Sequence, residues 1–320
     1  SVVPDSGCGS WLWESQSTNL ITQSELFSDA SWNNGGVGTL PTLSSGFLAP
    51  DGTNTAFKIS NPNKDSFWIV NNTNLTQNGA RSIYARTTSG SGTISLLSKN
   101  DNTNNTFTLT EQWQRFDLNE TLNAITFFYA VDFRGVGNTL DELIVWGSQA
   151  EALSYATSYI PTSGSTVTRN QDLCTNGGSL ASINSTEGTL YFEGSGLVNG
   201  GVNRYMGLSD NTTSNRLQLV FASTTNRLQI GGTNMTAINY NSFVQTDNNK
   251  IAFSYSASGV RAFVNGVLVG SNTDNASFPT NTLTTLDFAL WNQTSLPFHG
   301  KVKALAVWKE ALSDQELTEL

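Results

Sequence analysis

The chain has 320 residues, of which 38% are apolar and only 13% charged, about half the usual charged fraction of roughly 25%. Its length fits two domains of roughly 150 residues each, and a net charge of −9 argues against nucleic-acid binding through phosphate contacts. One histidine and two cysteines exclude zinc sites built from several such ligands and leave His299 as the sole imidazole for a Ser-His-Asp triad.

The chain opens SVVPDSGCG, with neither Met nor an apolar targeting segment, as expected of a processed or trimmed fragment. Strand-like runs follow, separated by Asn, Gly, Ser and Thr clusters: 82–86 (SIYAR), 93–97 (TISLL), 124–130 (AITFFYA) and 142–146 (ELIVW). The apolar run around residues 124–131 is well under half of the roughly 20 residues needed to span a bilayer, so no membrane insertion is expected. The second half repeats the pattern at 189–193, 216–221, 250–255 and 284–291. Short strands at this spacing, with almost no helical periodicity, predict an all-β fold of two β-sandwich domains in tandem.

Residues 161–187 are rich in Gly and hydroxyl side chains and poor in apolar periodicity. They place a first domain over 1–170, a linker over 171–187 and a second domain over 188–320. Within the second, GVRAFVNGVLVG (259–270) predicts a hairpin, because Asn265-Gly266 supplies positive φ at both centres of a type I′ turn. Ser313 and Glu316 have capping-box spacing and predict a short C-terminal helix from about Asp314.

Residues 17–32, STNLITQSELFSDASW, resemble the opening of a β-sandwich domain frequent in tailed-phage and prophage structural proteins. APDGT (49–53), WQRF (113–116) and above all WGSQAEALSYATSYIPTSGSTVTR (146–169) are similar to later motifs of that family. The resemblance implies a jelly roll like that of carbohydrate-binding modules. In the second half GTLYFEG (188–194), KIAFSYSASGVRAFVNGVLVG (250–270) and FHGKVKALAVWKEALSDQEL (298–317) resemble laminin-G/concanavalin-A-like lectin sandwiches. The pairing resembles phage receptor-binding spike or tail-fibre proteins. It implies a virion-surface attachment protein, a trimer or other symmetric homo-oligomer joined to other virion proteins, that recognises host cell-surface polysaccharide. Alternatives are a purely structural virion component and a secreted bacterial polysaccharide-binding protein.

Sugar binding calls for aromatic rings that stack on pyranose faces, with amides and carboxylates to fix the hydroxyls. Of eight tryptophans, Trp32, Trp113, Trp146 and Trp308 sit at motif positions and read as core. Trp68, next to Phe67 in SFWIV, and Trp291, before the polar tip WNQTS, are the carbohydrate-binding candidates. In a strand one of Phe67 and Trp68 must face outward. No enzyme is expected: no Glu-x-Asp-x-x-Glu pattern, adjacent-face carboxylate pair or G-x-S-x-G elbow is present.

The resembled folds often carry calcium, for which Asp51, Asp141 (or Glu142) and Asp210 are the loop ligands to test, although Asp51-Gly52 is equally good turn chemistry. Cys8 and Cys174 bracket the first domain, a spacing that admits a disulfide; virion assembly in a reducing cytosol argues instead for free thiols.

Overall fold

A computed structural model of the chain describes residues 2–3, 9–75, 78–98, 105–121, 125–199, 201–222, 225–231, 237–240, 243–291 and 295–320. In chain order the strands are β1 (Val2–Val3), β2 (Ser10–Trp13), β3 (Ser17–Asn19), β4 (Trp32–Gly36), β5 (Thr42–Phe47), β6 (Ala56–Ser60), β7 (Ser66–Leu75) and β8 (Asn78–Arg86). Then come β9 (Gly92–Ser98), β10 (Thr106–Leu109), β11 (Gln114–Thr121), β12 (Ile125–Asp132), β13 (Glu142–Glu151) and β14 (Val167–Arg169). The rest are β15 (Gly188–Gly196), β16 (Arg204–Ser209), β17 (Arg216–Phe221), β18 (Arg227–Gly231), β19 (Ala237–Asn239), β20 (Asn249–Ser256), β21 (Gly259–Val264), β22 (Val267–Asn272), β23 (Thr285–Asp287) and β24 (Gly300–Trp308). A single helix, α1 (Asp314–Glu319), appears among the described residues. The all-β expectation holds.

The chain forms two compact units, but their limits differ from the expected domains. One holds Gln16–Asn170; the other joins Ser1–Ser15 to Gln171–Leu320. Residues 9–15 therefore belong to the C-terminal sandwich, where β2 pairs with β24 (Trp11↔Val302, Trp13↔Gly300) and Trp13 stacks on Phe288 at 5.1 Å. Residues 171–187 are not a linker. Gly177 bridges Leu286, and Ile183 is 2% exposed within the core of that unit. Their lack of periodicity hid this packing, because an irregular segment can cover a core without alternating.

In the N-terminal sandwich two five-stranded antiparallel sheets, β10-β9-β12-β7-β4 and β11-β8-β13-β6-β5, enclose Ile59, Val70, Ile83, Leu96, Phe128 and Val145. The motif residues of 17–24 and 148–162 form a buried polar latch along β3 and β13. Asn19 Nδ2 donates to the Ile160 carbonyl (2.8 Å), and its Oδ1 accepts from the N–H groups of Ile21 (3.1 Å) and Ala150 (3.2 Å). Gln149 Oε1 accepts from Ile160 N–H (2.6 Å). Glu151, fully buried, accepts from Ser17 Oγ (2.7 Å), Thr157 N–H (2.9 Å) and the Thr157 hydroxyl. Ser24 and Thr162 exchange backbone-to-hydroxyl bonds of 2.8 and 3.0 Å. The spacing of the motif is thus the spacing of hydrogen-bond partners, each of which would cost about 1–3 kcal/mol if left unsatisfied in the interior.

The C-terminal sandwich packs a seven-stranded sheet, β1-β2-β24-β15-β20-β21-β22, on a five-stranded one, β19-β18-β17-β16-β23. Leu190, Phe192, Met206, Leu217, Leu219 and Phe253 fill the space between. Helix α1 has the expected capping box at Ser313 and Glu316, and its Leu317 buries against Tyr191, Ala252 and Phe263. Of the run 284–291, only Thr285–Asp287 is strand.

The β21–β22 turn has φ +51° at Asn265 and +76° at Gly266, with Val264 opposite Val267, as a type I′ hairpin requires. A Cβ on Gly266 would also lie 3.0 Å from the Thr318 carbonyl oxygen. Gly266→Val should cost about 1–2 kcal/mol and lower the melting midpoint of this unit by a few degrees in calorimetry.

Glu14 and Asp172 are hydrogen-bonded through their backbones (2.8 Å) and through Asp172 Oδ2 to Glu14 N–H (2.9 Å). Excising residues 16–170 and joining Ser15 to Gln171 by a short Gly/Ser linker should therefore leave a cooperatively folding C-terminal sandwich. Omitting residues 1–15 as well should lower its midpoint by about 6–12 °C, a loss of about 3 kcal/mol. Equal midpoints for the two forms would mean that β2 contributes nothing to this unit.

Candidate functional site

Strand β7 alternates: Ser66, Trp68 and Val70 are buried, whereas Phe67 and Ile69 are half-exposed. Trp68 is 6% exposed and lies within the N-terminal core, so it is not the outward platform expected from the sequence; Phe67 is. On the neighbouring strand β12 the same parity buries Phe128 and Ala130 and turns out Phe127 (40% exposed) and Tyr129. The register pairs Tyr129 with Ile69 and so sets Phe67 diagonally beside Tyr129.

The three outward rings form a row. Phe67 and Tyr129 meet edge to face at 4.8 Å and 81°, and Tyr129 and Phe127 at 6.0 Å and 86°. The Arg134 guanidinium carbon lies 4.3 Å from the Phe67 ring centre and 5.0 Å from that of Tyr129. Asp132 holds it there: Nε and Nη2 each donate over 2.9 Å to the two carboxylate oxygens, and Arg134 N–H donates over 3.0 Å to Oδ1. The hydrogen bond to Asp132 holds the guanidinium pKa above its ordinary value, against an opposing effect of burial.

Neighbouring strand and loops frame this face. Gly35 on β4 is opposite Phe67, and a Cβ there would come within 2.7 Å of the Phe67 ring; glycine lets the ring lie across that strand. Asn33, opposite Ile69, is exposed. Two loops are tied to one turn beside the face. Val37 N–H and Thr39 N–H donate to Asp65, while Lys64 Nζ donates to the carbonyls of Asn138 (3.3 Å) and Thr139 (2.6 Å). Their tips, Val37 and Val136, are 89% and 83% exposed. Half-exposed rings, an anchored guanidinium and a nearby amide are the components of a saccharide platform.

The sequence-predicted site residues are divided between the two units. Trp291 is half-buried in the C-terminal unit, with Trp68 in the other. Asp51 closes its own turn, accepting from Thr53 N–H (2.9 Å) and Thr53 Oγ1 (2.7 Å). Asp210 does the same with Thr212 N–H (2.9 Å) and Asn215 Nδ2 (2.7 Å). Asp141 is exposed, and its carbonyl accepts from Asn61 N–H. Among the described residues no three His, Cys, Asp or Glu side chains group to hold a metal. Calcium needs six to eight oxygen ligands, and the carboxylates of Asp51 and Asp210 each already accept hydrogen bonds from their own turn. His299 is 8% exposed, immediately before β24. Cys174 is a half-buried free thiol whose pKa is raised by burial and by Asp287, and Cys8 lies outside the described residues.

A second aromatic surface was not anticipated. Trp11, 54% exposed on β2, borders a mostly apolar cleft of about 460 Å³ lined also by Trp13, Leu173, Cys174, Phe288 and Leu305. The W-x-W spacing in SWLWES, two rings on one strand face, was the available signal.

Residues 180–318 match the family described as the Concanavalin A-like lectin/glucanases superfamily. No curated protein matches the chain. Among solved structures it is similar to the Ruminococcus gnavus IT-sialidase CBM40, at 15% identity over 42% of this chain and 82% of that one, with a TM-score of 0.36. It is also similar to Domain 4 of AbnA, a GH43 extracellular arabinanase from Geobacillus stearothermophilus (14%, 48% and 72%, TM-score 0.37). The NanB sialidase from Streptococcus pneumoniae is 17% identical over 44% of this chain, which spans 25% of that enzyme (TM-score 0.38). Superpositions this loose carry nothing further.

The inward placement of Trp68 gives a test of the strand parity. Trp68→Ala should cost about 3–5 kcal/mol of stability, as large-to-small core changes do. A denaturation curve unchanged from wild type would put the ring on the surface after all.

Proposed function

We propose that the chain is a non-enzymatic glycan-recognition protein of a virion surface, which contacts host polysaccharide through the Phe67–Tyr129–Phe127 face of its N-terminal sandwich. The observation that carries this reading is the row of outward rings with Arg134 fixed across two of them. The lectin-type match of residues 180–318 supports a carbohydrate setting. Support for the virion setting comes from the motif resemblance at residues 17–32 and 146–169. In that setting the chain works as a trimer or other symmetric assembly, in which several weak sites gain avidity.

The disposition of the acids supports binding without cleavage. Glycoside hydrolysis needs two carboxyl groups facing one sugar. Asp132 is bound to Arg134, Glu151 to Ser17 and Thr157, and Glu193 to Lys303 and Asn248. Asp287, whose pKa burial raises, accepts from Asn176, Ser209 and Thr285.

The test is binding of the full chain to host cells and to an array of their glycans. Phe67→Ala and Tyr129→Ala should each weaken binding roughly ten- to hundredfold, the effect of losing about 1.4–2.8 kcal/mol at an aromatic anchor. Full binding by both variants with loss in Trp11→Ala would move the site to the C-terminal sandwich. Release of oligosaccharide by the wild type would overturn the non-enzymatic reading.

A further inference from the structure

We infer that the Phe67–Tyr129–Arg134 face selects neutral saccharides over acidic ones. This rests on reading that face as the glycan site. An arginine among aromatic rings ordinarily marks recognition of a carboxylate, which the guanidinium grips through two parallel N–H groups. Here one of its two such edges is already used. Nε and Nη2 are the pair that Asp132 occupies, at 2.9 Å each, and the Asp132 side chain is 4% exposed beneath the 24% exposed Arg134. An incoming carboxylate could meet only the Nη1–Nη2 edge, on a guanidinium whose charge Asp132 already compensates, or would have to displace a buried carboxylate, leaving it without its cation. That exchange is costly, because an uncompensated buried charge loses both water and partner.

Lys64, the nearest lysine in sequence, is bound to the carbonyls of Asn138 and Thr139, where it holds the 134–139 loop. Asp65, on the turn that ties the 37–39 loop, adds negative charge. The chain as a whole carries −9, so the long-range field also opposes an anionic ligand. What the anchored guanidinium still offers is a flat, polar edge beside two rings. That surface suits a sugar whose apolar face stacks and whose hydroxyls accept or donate single hydrogen bonds.

The experiment compares the full-length wild type on immobilised neutral oligosaccharides and on the same backbones carrying a uronic or sialic acid, from low to high NaCl. The neutral members should bind at least about tenfold more tightly, with affinity nearly independent of salt, as screening has no net charge to act on. Asp132→Asn keeps an acceptor for Arg134 but removes the compensating charge. It should gain about tenfold on the acidic members and acquire salt dependence. Tighter wild-type binding of the acidic members, or a steep loss of affinity with salt, overturns the selectivity while leaving the glycan site intact. Binding of neither class overturns the site itself, and with it this inference. If Asp132→Asn fails to fold by circular dichroism, the wild-type ratio and its salt dependence decide alone.

Discussion

The alternation of side chains along β7 governs both the inside and the outside of the N-terminal sandwich. A one-residue change of parity would exchange Trp68 for Phe67, and through the register would set the opposite faces of β12 and β4 against each other. Three neighbours hold the observed parity. Val70 lies opposite Trp32 across β4, Trp32 packs on Phe27 at 4.4 Å, and the Trp32 indole N–H reaches the Gln23 carbonyl at 2.8 Å. The inward set is therefore fixed through Trp32 and the motif that surrounds it, and the outward row of rings follows from it. The platform is a by-product of core packing, which gives it a rigid base of two adjacent strands.

A chain with few charges must satisfy its buried polar groups mainly with amides and hydroxyls. The latch around Asn19, Gln149 and Glu151 does this in one place. The same economy explains APDGT. Asp51 accepts from Thr53, Thr53 Oγ1 pairs with Thr55 Oγ1 at 2.7 Å, and Thr55 Oγ1 accepts from the Trp146 indole N–H at 2.9 Å. A residue proposed as a metal ligand thus ends a relay that secures a buried tryptophan. Trp146 packs there with Tyr84 and Tyr159 on the other sheet. Asp51 and Trp146 of the motifs are scaffold, whereas Phe67, Phe127 and Tyr129 lie between the motifs.

That division explains what could be read from the sequence. Strand existence, the Asn265-Gly266 turn and the Ser313 cap depend on local backbone chemistry, which a few residues encode. Placing Trp32 and Trp146 in the core was equally legible, since each sits in a motif with partners at fixed spacing. The choice between Phe67 and Trp68 was not legible, because both are large and aromatic and only the facing sheet distinguishes them. The affiliation of residues 9–15 was hidden for a related reason. SWLW forms a strand whose partner, β24, lies almost 290 residues away, and no local pattern announces a pairing of that range.

Asp132 joins local folding to ligand preference in a single side chain. Its carboxylate accepts from Arg134 at the backbone and at two guanidinium nitrogens, while its own carbonyl accepts from Asn138 Nδ2 at 2.7 Å. The turn that follows β12 and the position of the guanidinium over the rings are consequently one structural unit. Truncation to alanine would release both, and any change in binding would then report on a displaced loop. Asparagine retains an acceptor and nearly the same volume, so it alters the charge more than the shape. The contrast matters because charge compensation and loop closure predict opposite consequences. Loss of the loop weakens every ligand, whereas loss of compensation weakens none and admits a new class.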